Sequence, residues 1–461
     1  MTPDSSSRSE LGSRRDFLRT AALAAGGAFA LSANPAAVRA ATNKNSRLRI
    51  FQIGTGGIGG MQRKGLEGHP KVEFAGFCDV HERAFERIEA DHGEAWRVVD
   101  YREAFADRVD EFDAVIVDTP DFHHCPMMVT ALKHGKHVYG QKPLVHQLDE
   151  LRVMREAIAA RPGLHTQMGN QRACTTGRMQ AVELLRSHRL GRPVEAHIWT
   201  GPMSRGTYFV DPWSELPPAQ ELPEGLHWDL WNGPLVESLP YSEDLHPLRW
   251  RSWWETGGGM LADWGCHLFD VLYFAYDLGS PEAVQTNTMH PAGICHSGYN
   301  QSTLTYAGGE GFARDRFAVH YSDSHIRPSF ASLGLPTPGI TGTCTLVVCE
   351  EGVLLLEPGG KMEIYRKGKL VENEPMPEVE PRNHWKDWAD CCLGEEKPLW
   401  TPFDVATDIT EPCLLAAKAT RFPGVELRWD AAAYRFTNHD EANEQLLSRS
   451  YREGFAPPEI A

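Results

Sequence analysis

The segment Leu48-Arg49-Ile50-Phe51-Gln52-Ile53 reads as a strand and runs directly into Gly54-Thr55-Gly56-Gly57-Ile58-Gly59. This is G-x-G-x-x-G placed between a strand and a helix. Each glycine has a separate task there: Gly54 for a tight turn, Gly56 for close approach of a pyrophosphate, Gly59 for close helix–sheet packing. The helix start adds free N–H groups and a positive dipole end for the phosphates. Thr55, Gly57 and Ile58 complete the loop. Residues 72–78 read as the next strand and end at Asp79. A carboxylate at that place can bond both ribose hydroxyls of an adenosine and repels a 2′-phosphate. The pattern therefore predicts a nicotinamide dinucleotide cofactor, NAD rather than NADP.

The first 40 residues read as a leader. Ser13-Arg14-Arg15-Asp16-Phe17-Leu18-Arg19 is a twin-arginine pattern, an Ala- and Gly-rich apolar stretch covers 21–33, and Val38-Arg39-Ala40 supplies a cleavage site after Ala40. The expected partner is the Tat export machinery and the expected destination is the periplasm or another extracytoplasmic space. That route carries folded proteins, so the cofactor is expected to be loaded before export and held tightly, and to be recycled in place or reset by a second substrate. No later run approaches the roughly 18 apolar residues of a membrane span, so membrane insertion is not expected. The net charge of −16 argues against nucleic acid or an anionic membrane as partner. The ten cysteines form no C-x-x-C pair and no Cys/His array with zinc spacing, so neither a metal nor a disulfide framework is expected.

Beyond the leader, residues 41–170 alternate strand and helix patterns, as a doubly wound parallel α/β sheet requires. Ligand-facing loops follow its strands at Thr119-Pro120, with His124 opening the next helix, at Gln141-Lys142-Pro143, and at Gly169-Asn170-Gln171. Residues 171–461 change rhythm. Strand patterns at 193–200, 284–290, 302–306, 315–321, 343–348 and 352–356 lack regular intervening helices. This predicts an α+β domain with an open, mainly antiparallel sheet. Residues 205–250, 322–341 and 371–383 read as loops.

In that second half, Gly257-Gly258-Gly259 leads into an apolar helix over about 261–276. Asp263 and His267 stand four residues apart and share one face of it. An imidazole poised near neutral pH can move a hydroxyl proton, and a neighbouring carboxylate can orient it. Arg249 and Arg251 could reach a uronate or lactone oxygen, or equally form surface ion pairs. Trp228, Trp231, Trp250, Trp253 and Trp254 could offer sugar-stacking faces, although a core claims most of such a set.

Gly54–Gly59, Thr119-Pro120 with His124, Lys142-Pro143 and Asp263-x-Gly265-x-His267 together resemble the glucose–fructose oxidoreductase/inositol dehydrogenase/MocA (Gfo/Idh/MocA) family. The end of the chain, from Asn383-His384 to Arg452, resembles the bacterial C-terminal type. The resemblance implies a carbohydrate or polyol bound between the two domains. It implies Lys142, Asp263 and His267 as the catalytic group, with Asn170 and Gln171 on the second edge of the cleft and Gln141 and Lys142 near the cofactor. It also implies a homo-oligomer built on the open sheet. One departure stands out: Gln141 replaces the family's Glu, which predicts a lysine without that carboxylate partner and closer to a working base. The expected activity is an NAD(P)-dependent oxidoreductase acting on a sugar, polyol or keto-sugar. The alternatives are a glycosidase, lyase or epimerase that oxidises its substrate transiently, and a non-catalytic sugar or nucleotide sensor.

Overall fold

The computed structural model describes residues 47–203 and 206–460; the expected leader, residues 1–40, lies outside them. The first sheet contains β1 (Leu48–Ile53), β2 (Val72–Cys78), β3 (Trp96–Val98), β4 (Ala114–Val117), β5 (His137–Gly140) and β6 (Thr166–Met168) in the order β3-β2-β1-β4-β5-β6. Every pairing is parallel. Helices α1 (Ile58–Leu66), α2 (Arg83–His92), α3 (Tyr101–Asp107), α4 (His124–Lys133) and α5 (Leu148–Ala159) connect them. β4 is buried at every residue, as a strand covered by helices on both faces must be. The order reverses between β1 and β4, and this is where such sheets open a ligand crevice.

Helix α6 (Thr176–Arg186) leads into the second half, where α7 (Trp228–Asn232) and α8 (Gly259–Tyr276) follow. Its sheet comprises β7 (Pro193–Trp199), β8 (Ala283–Thr288), β9 (Asn300–Ala307), β10 (Arg316–Ser322), β11 (Cys344–Cys349), β12 (Val353–Leu356), β13 (Met362–Arg366), β14 (Lys369–Leu370), β15 (Glu426–Asp430) and β16 (Arg435–Phe436). The order is β14-β13-β12-β11-β7-β10-β9-β8-β15-β16, antiparallel throughout except for the parallel pair β7–β10. β9 and β10 alternate buried and open residues, so one face meets the helices. The chain's own segment around Phe330, Leu333, Leu335 and Ile340 packs over Trp199, Leu346 and Leu355 and covers part of the other face. β13 to β16 escaped the sequence reading because they are short or edge strands of mixed polarity, where the period-2 signal is weakest.

The two halves share one core. α8 lies against α6 and against α10 (Phe403–Ala419), and α10 lies in turn against α5 of the first half. A Cβ at Gly265 would stand 2.5 Å from Cys413 Sγ and 3.0 Å from its Cβ, so α8 and α10 cross closely only because that residue is glycine. α9 (His384–Cys392) returns to the first sheet and buries Trp388, Ala389 and Cys392 against Leu48, Ile50, Ala114 and Tyr139. α11 (Asp440–Leu446) precedes a tail in which Arg449 bonds Glu150 at 3.0 Å. All ten cysteines are free and buried. Among the described residues no helix is long and apolar enough to cross a membrane. Replacing Gly265→Ala forces α8 off α10 and costs about 1–3 kcal/mol. Thermal unfolding should show this loss, with partial recovery when Cys413→Ala removes the sulfur; an unchanged transition would refute the close-crossing account.

Candidate active site

The glycine loop has the form of a phosphate cradle. Gly54 has φ +85°, and a Cβ there would stand 2.5 Å from Asp118 O; a Cβ at Gly59 would stand 2.4 Å from Gly54 O. By contrast, nothing lies within 4 Å of a Cβ built at Gly56, so the loop leaves open space where a pyrophosphate would pass. No side chain caps α1 and no acidic residue occupies its first turn, which leaves its N–H groups for an anion. Asp79 accepts from Thr55 N at 2.9 Å, from Thr55 Oγ1 at 2.8 Å and from His81 N at 3.0 Å. The loop opens on a cleft of about 640 Å³ that takes in Gly54, Gly56, Gly57, Ile58, Asp79, Thr119 and Pro120. Its far wall comes from the long loop of the second half, including Leu226, Trp231 and His246, and from Phe455 in the tail. These residues fit a dinucleotide.

The loop after β5 meets α8 beyond this cleft. Lys142 Nζ donates to Asp263 Oδ1 at 2.5 Å and to the Asp263 carbonyl at 2.7 Å. Tyr208 donates its hydroxyl to Asp263 Oδ2, and Arg251 Nε lies 3.7 Å from Oδ1. Burial alone would raise the Asp263 carboxyl, but the charges of Lys142 and Arg251 and the bonds from Lys142 and Tyr208 outweigh it and hold Asp263 well below the usual carboxylate range. Asp121, at the turn after Thr119-Pro120, is buried beside the same group. Burial first, then the Asp263 charge, push its carboxyl up to about 8. Its Oδ2 has no partner. Position 141 holds glutamine, so the lysine lacks the family's glutamate partner there; in the structure Asp263 is the carboxylate beside it.

His267 sits one turn along α8. Burial first, then the charges of Lys142 and Arg172, hold its imidazole well below its ordinary value, so the ring is neutral near pH 7. Nδ1 faces Asn170 Oδ1. The Asn170 amide nitrogen donates to the Cys266 carbonyl at 3.0 Å and to Asp270 Oδ2 at 3.1 Å. Both of those atoms only accept, so the amide orientation is settled and its oxygen faces the ring. Nδ1 therefore carries the proton, and Nε2 is left as the basic atom. Asp270 is in turn paired with buried Arg178. This chain, Arg178–Asp270–Asn170–His267, selects the tautomer of the ring and leaves Nε2 as the atom able to take a proton.

The remaining residues named from the sequence fall in different places. His124 does not line the cleft: its two nitrogens lie 2.8 Å from Pro143 O and 2.9 Å from Thr119 O, so it joins the two ligand-facing loops from behind. Gln141 is buried next to Asp118, whose carboxyl burial pushes up to about 7 against the bond from Gln52 and the charge of Arg63. A glutamate at 141 would set a second carboxylate against that one, a physical reason for the amide. Gln171 turns towards α1, with Nε2 3.7 Å from Met61 Sδ. Trp231 and Trp250 line the cleft, Trp228 stacks on Trp231 at 4.2 Å, and Trp253 and Trp254 are core. Arg249 pairs with Asp244. Sequence reasoning missed Asp121, Tyr208 and Arg172. Asp121 lies next to a motif already in view; Tyr208 reaches the site only through the tertiary path of a loop.

The comparisons with known proteins agree with this architecture. The family model described as "Oxidoreductase family, NAD-binding Rossmann fold" matches residues 48–168, and the one described as "Oxidoreductase family, C-terminal alpha/beta domain" matches residues 180–315. An inositol 2-dehydrogenase of Rubrobacter xylanophilus is 27% identical over 161 residues, 34% of this chain and 44% of that protein. A glycosyl hydrolase family 109 protein of Solibacter usitatus is 33% identical over 151 residues, 30% of this chain and 34% of that protein. The chain thus matches less than half the length of either relative. In fold, the WlbA dehydrogenase of Bordetella pertussis, solved with NADH and UDP-GlcNAcA, superposes with a TM-score of 0.58 at 15% identity, over 84% of this chain and 98% of that one. The aldose-aldose oxidoreductase of Caulobacter crescentus, solved with glycerol, gives 0.56 at 16% identity over 83% and 100%. Models of both halves of one family match here and together span more than half of the chain, and the chain belongs to the Gfo/Idh/MocA oxidoreductase family with an NAD-binding Rossmann domain.

Proposed function

We propose that this protein is an exported NAD-dependent oxidoreductase that moves a hydride between a sugar, polyol or keto-sugar carbon and a tightly held nicotinamide. The observation that carries the reading is the neutral His267, its Nε2 free to take a proton, one turn from the Lys142–Asp263 pair. Bound NAD supplies the hydride-accepting carbon. The protein's residues do the rest. His267 takes the proton of the reacting hydroxyl at Nε2. Lys142 stabilises the negative charge that develops on the same oxygen. Asp263 keeps the ammonium in place, and Tyr208 and Arg251 fix the carboxylate. Asp79 favours NAD through the ribose hydroxyls. The second-half loop and the tail over the cleft support slow release, and the twin-arginine pattern at 13–19 supports loading before export. A second reading rests on the Solibacter relative: a glycosidase in which the hydride is returned within each turnover. Hydrolysis of a glycoside without net change in the nicotinamide would favour it.

Denaturing the purified protein should release close to one NAD(H) per chain by mass spectrometry; NADP in its place, or an apoprotein that binds neither nucleotide, would overturn the cofactor assignment. His267→Gln should lower kcat about 10²–10⁴-fold with nucleotide retained; full turnover in that variant would remove the histidine from the mechanism. A lowered imidazole pKa means that the basic form persists as pH falls. The acid limb of kcat/KM should therefore lie below 6.5, the ordinary value of histidine. A limb at or above 6.5 would contradict it. Asp121 loses its proton only near 8 and then adds negative charge beside Lys142. An alkaline change in rate near that pH should vanish in Asp121→Asn.

A further inference from the structure

In the parallel pair β7–β10, His197 stands directly beside His320. Strand alternation puts Glu195, two residues before His197, on the same face. Their neighbours Ala196, Ile198, Val319 and Tyr321 all lie in the helix-facing core. The three polar side chains therefore point away from α8, and the thickness of the sheet separates them from Lys142 and His267. One donor atom from each lies within 4.8 Å of the other two. His197 Nε2 is 3.1 Å from Glu195 Oε1, and the two imidazole rings face each other with centroids 4.9 Å apart and planes inclined by 27°. All three residues are half-buried, held by their strands yet open to solvent.

We propose that Glu195, His197 and His320 form a binding site for a zinc-like divalent cation. Two imidazole nitrogens and a carboxylate oxygen are a recognised zinc donor set, with bonds of about 2.0–2.2 Å and a fourth position left for water. On a tetrahedral ion of that radius the donor atoms are about 3.3–3.6 Å apart. The donors lie between 3.1 Å and at most 4.8 Å apart, near that value, so side-chain rotation on strands already in register would bring them onto one ion. The Thr303 hydroxyl on β9 lies 3.1 Å from His320 Nδ1 and orients the ring, as outer partners of ligating histidines do. A ligating imidazole must be neutral. Arg314 Nη1 lies 3.9 Å from Glu195 Oε2; it stands on the second carboxylate oxygen and leaves Oε1 to the ion. The sequence expectation of no metal rested on Cys/His spacing, and this trio has none, because its members come from strands more than a hundred residues apart. An ion here would clamp β7 to β10, the parallel pair in an otherwise antiparallel sheet.

The test uses the full exported chain without a histidine tag, stripped with a chelator and dialysed. Added Zn²⁺ should remain at close to one ion per chain after gel filtration, measured by elemental analysis, and should raise the unfolding temperature. Co²⁺ in its place should give the visible absorption of a low-coordinate site. His197→Ala and His320→Ala should each weaken Zn²⁺ binding at least tenfold and remove the thermal shift, while released NAD(H) per chain stays the same and reports an intact fold. If either alanine variant fails that check, His→Gln at the same position replaces it. Binding of no Zn²⁺ by the wild type, or equal binding by wild type and both variants, would overturn the proposal.

Discussion

The buried pair between Lys142 and Asp263 is the interaction on which the site depends. It joins the loop after β5 in the first half to α8 in the second. Burying two charges costs several kcal/mol per ion unless geometry and further hydrogen bonds offset it. Here they do: the ammonium bonds both the carboxylate and the carbonyl of Asp263, while Tyr208 and Arg251 attend the same carboxylate. Loss of either partner would leave the other charge buried without its counter-ion. The pair is therefore a clamp between the two domains at the edge of the cleft.

The same charge also determines the state of the neighbouring groups. Lys142 adds to the burial that keeps His267 neutral, and Asp263 adds to the burial that keeps Asp121 protonated. A base without its proton and an acid with its proton thus stand on either side of one ion pair. Pushing two titratable groups in opposite directions is how a single site supplies both partners of a proton transfer at one pH. The chain Arg178–Asp270–Asn170 then chooses which nitrogen of His267 is basic. The helix supplies the positions of Asp263 and His267; the tautomer depends on a residue from the end of the first sheet.

The second sheet has two different faces. Its inner face carries α8 and so the site. Its outer face is covered in part by the chain's own segment around Phe330–Ile340, and elsewhere presents the half-buried row that includes Glu195, His197, Thr303 and His320. Strand alternation makes this division possible, because neighbouring residues on one strand serve opposite faces.

Local pattern determined much of this protein. The strand–glycine–helix unit, Asp79, the loop positions of Lys142 and Asn170, and the i, i+4 placement of Asp263 and His267 all follow from short-range spacing, since backbone periodicity alone carries them. Tertiary structure decided the rest. That Lys142 meets Asp263, that Asn170 reads the ring of His267, that His124 works from behind the loops and that Gln141 lies against Asp118 depend on segments brought together from opposite ends of the fold. Asp121 was adjacent to a legible motif, but its significance comes from burial beside Asp263, which no local signal records. Burial and long-range partners set protonation states, and both are properties of the packed chain rather than of any stretch of its sequence.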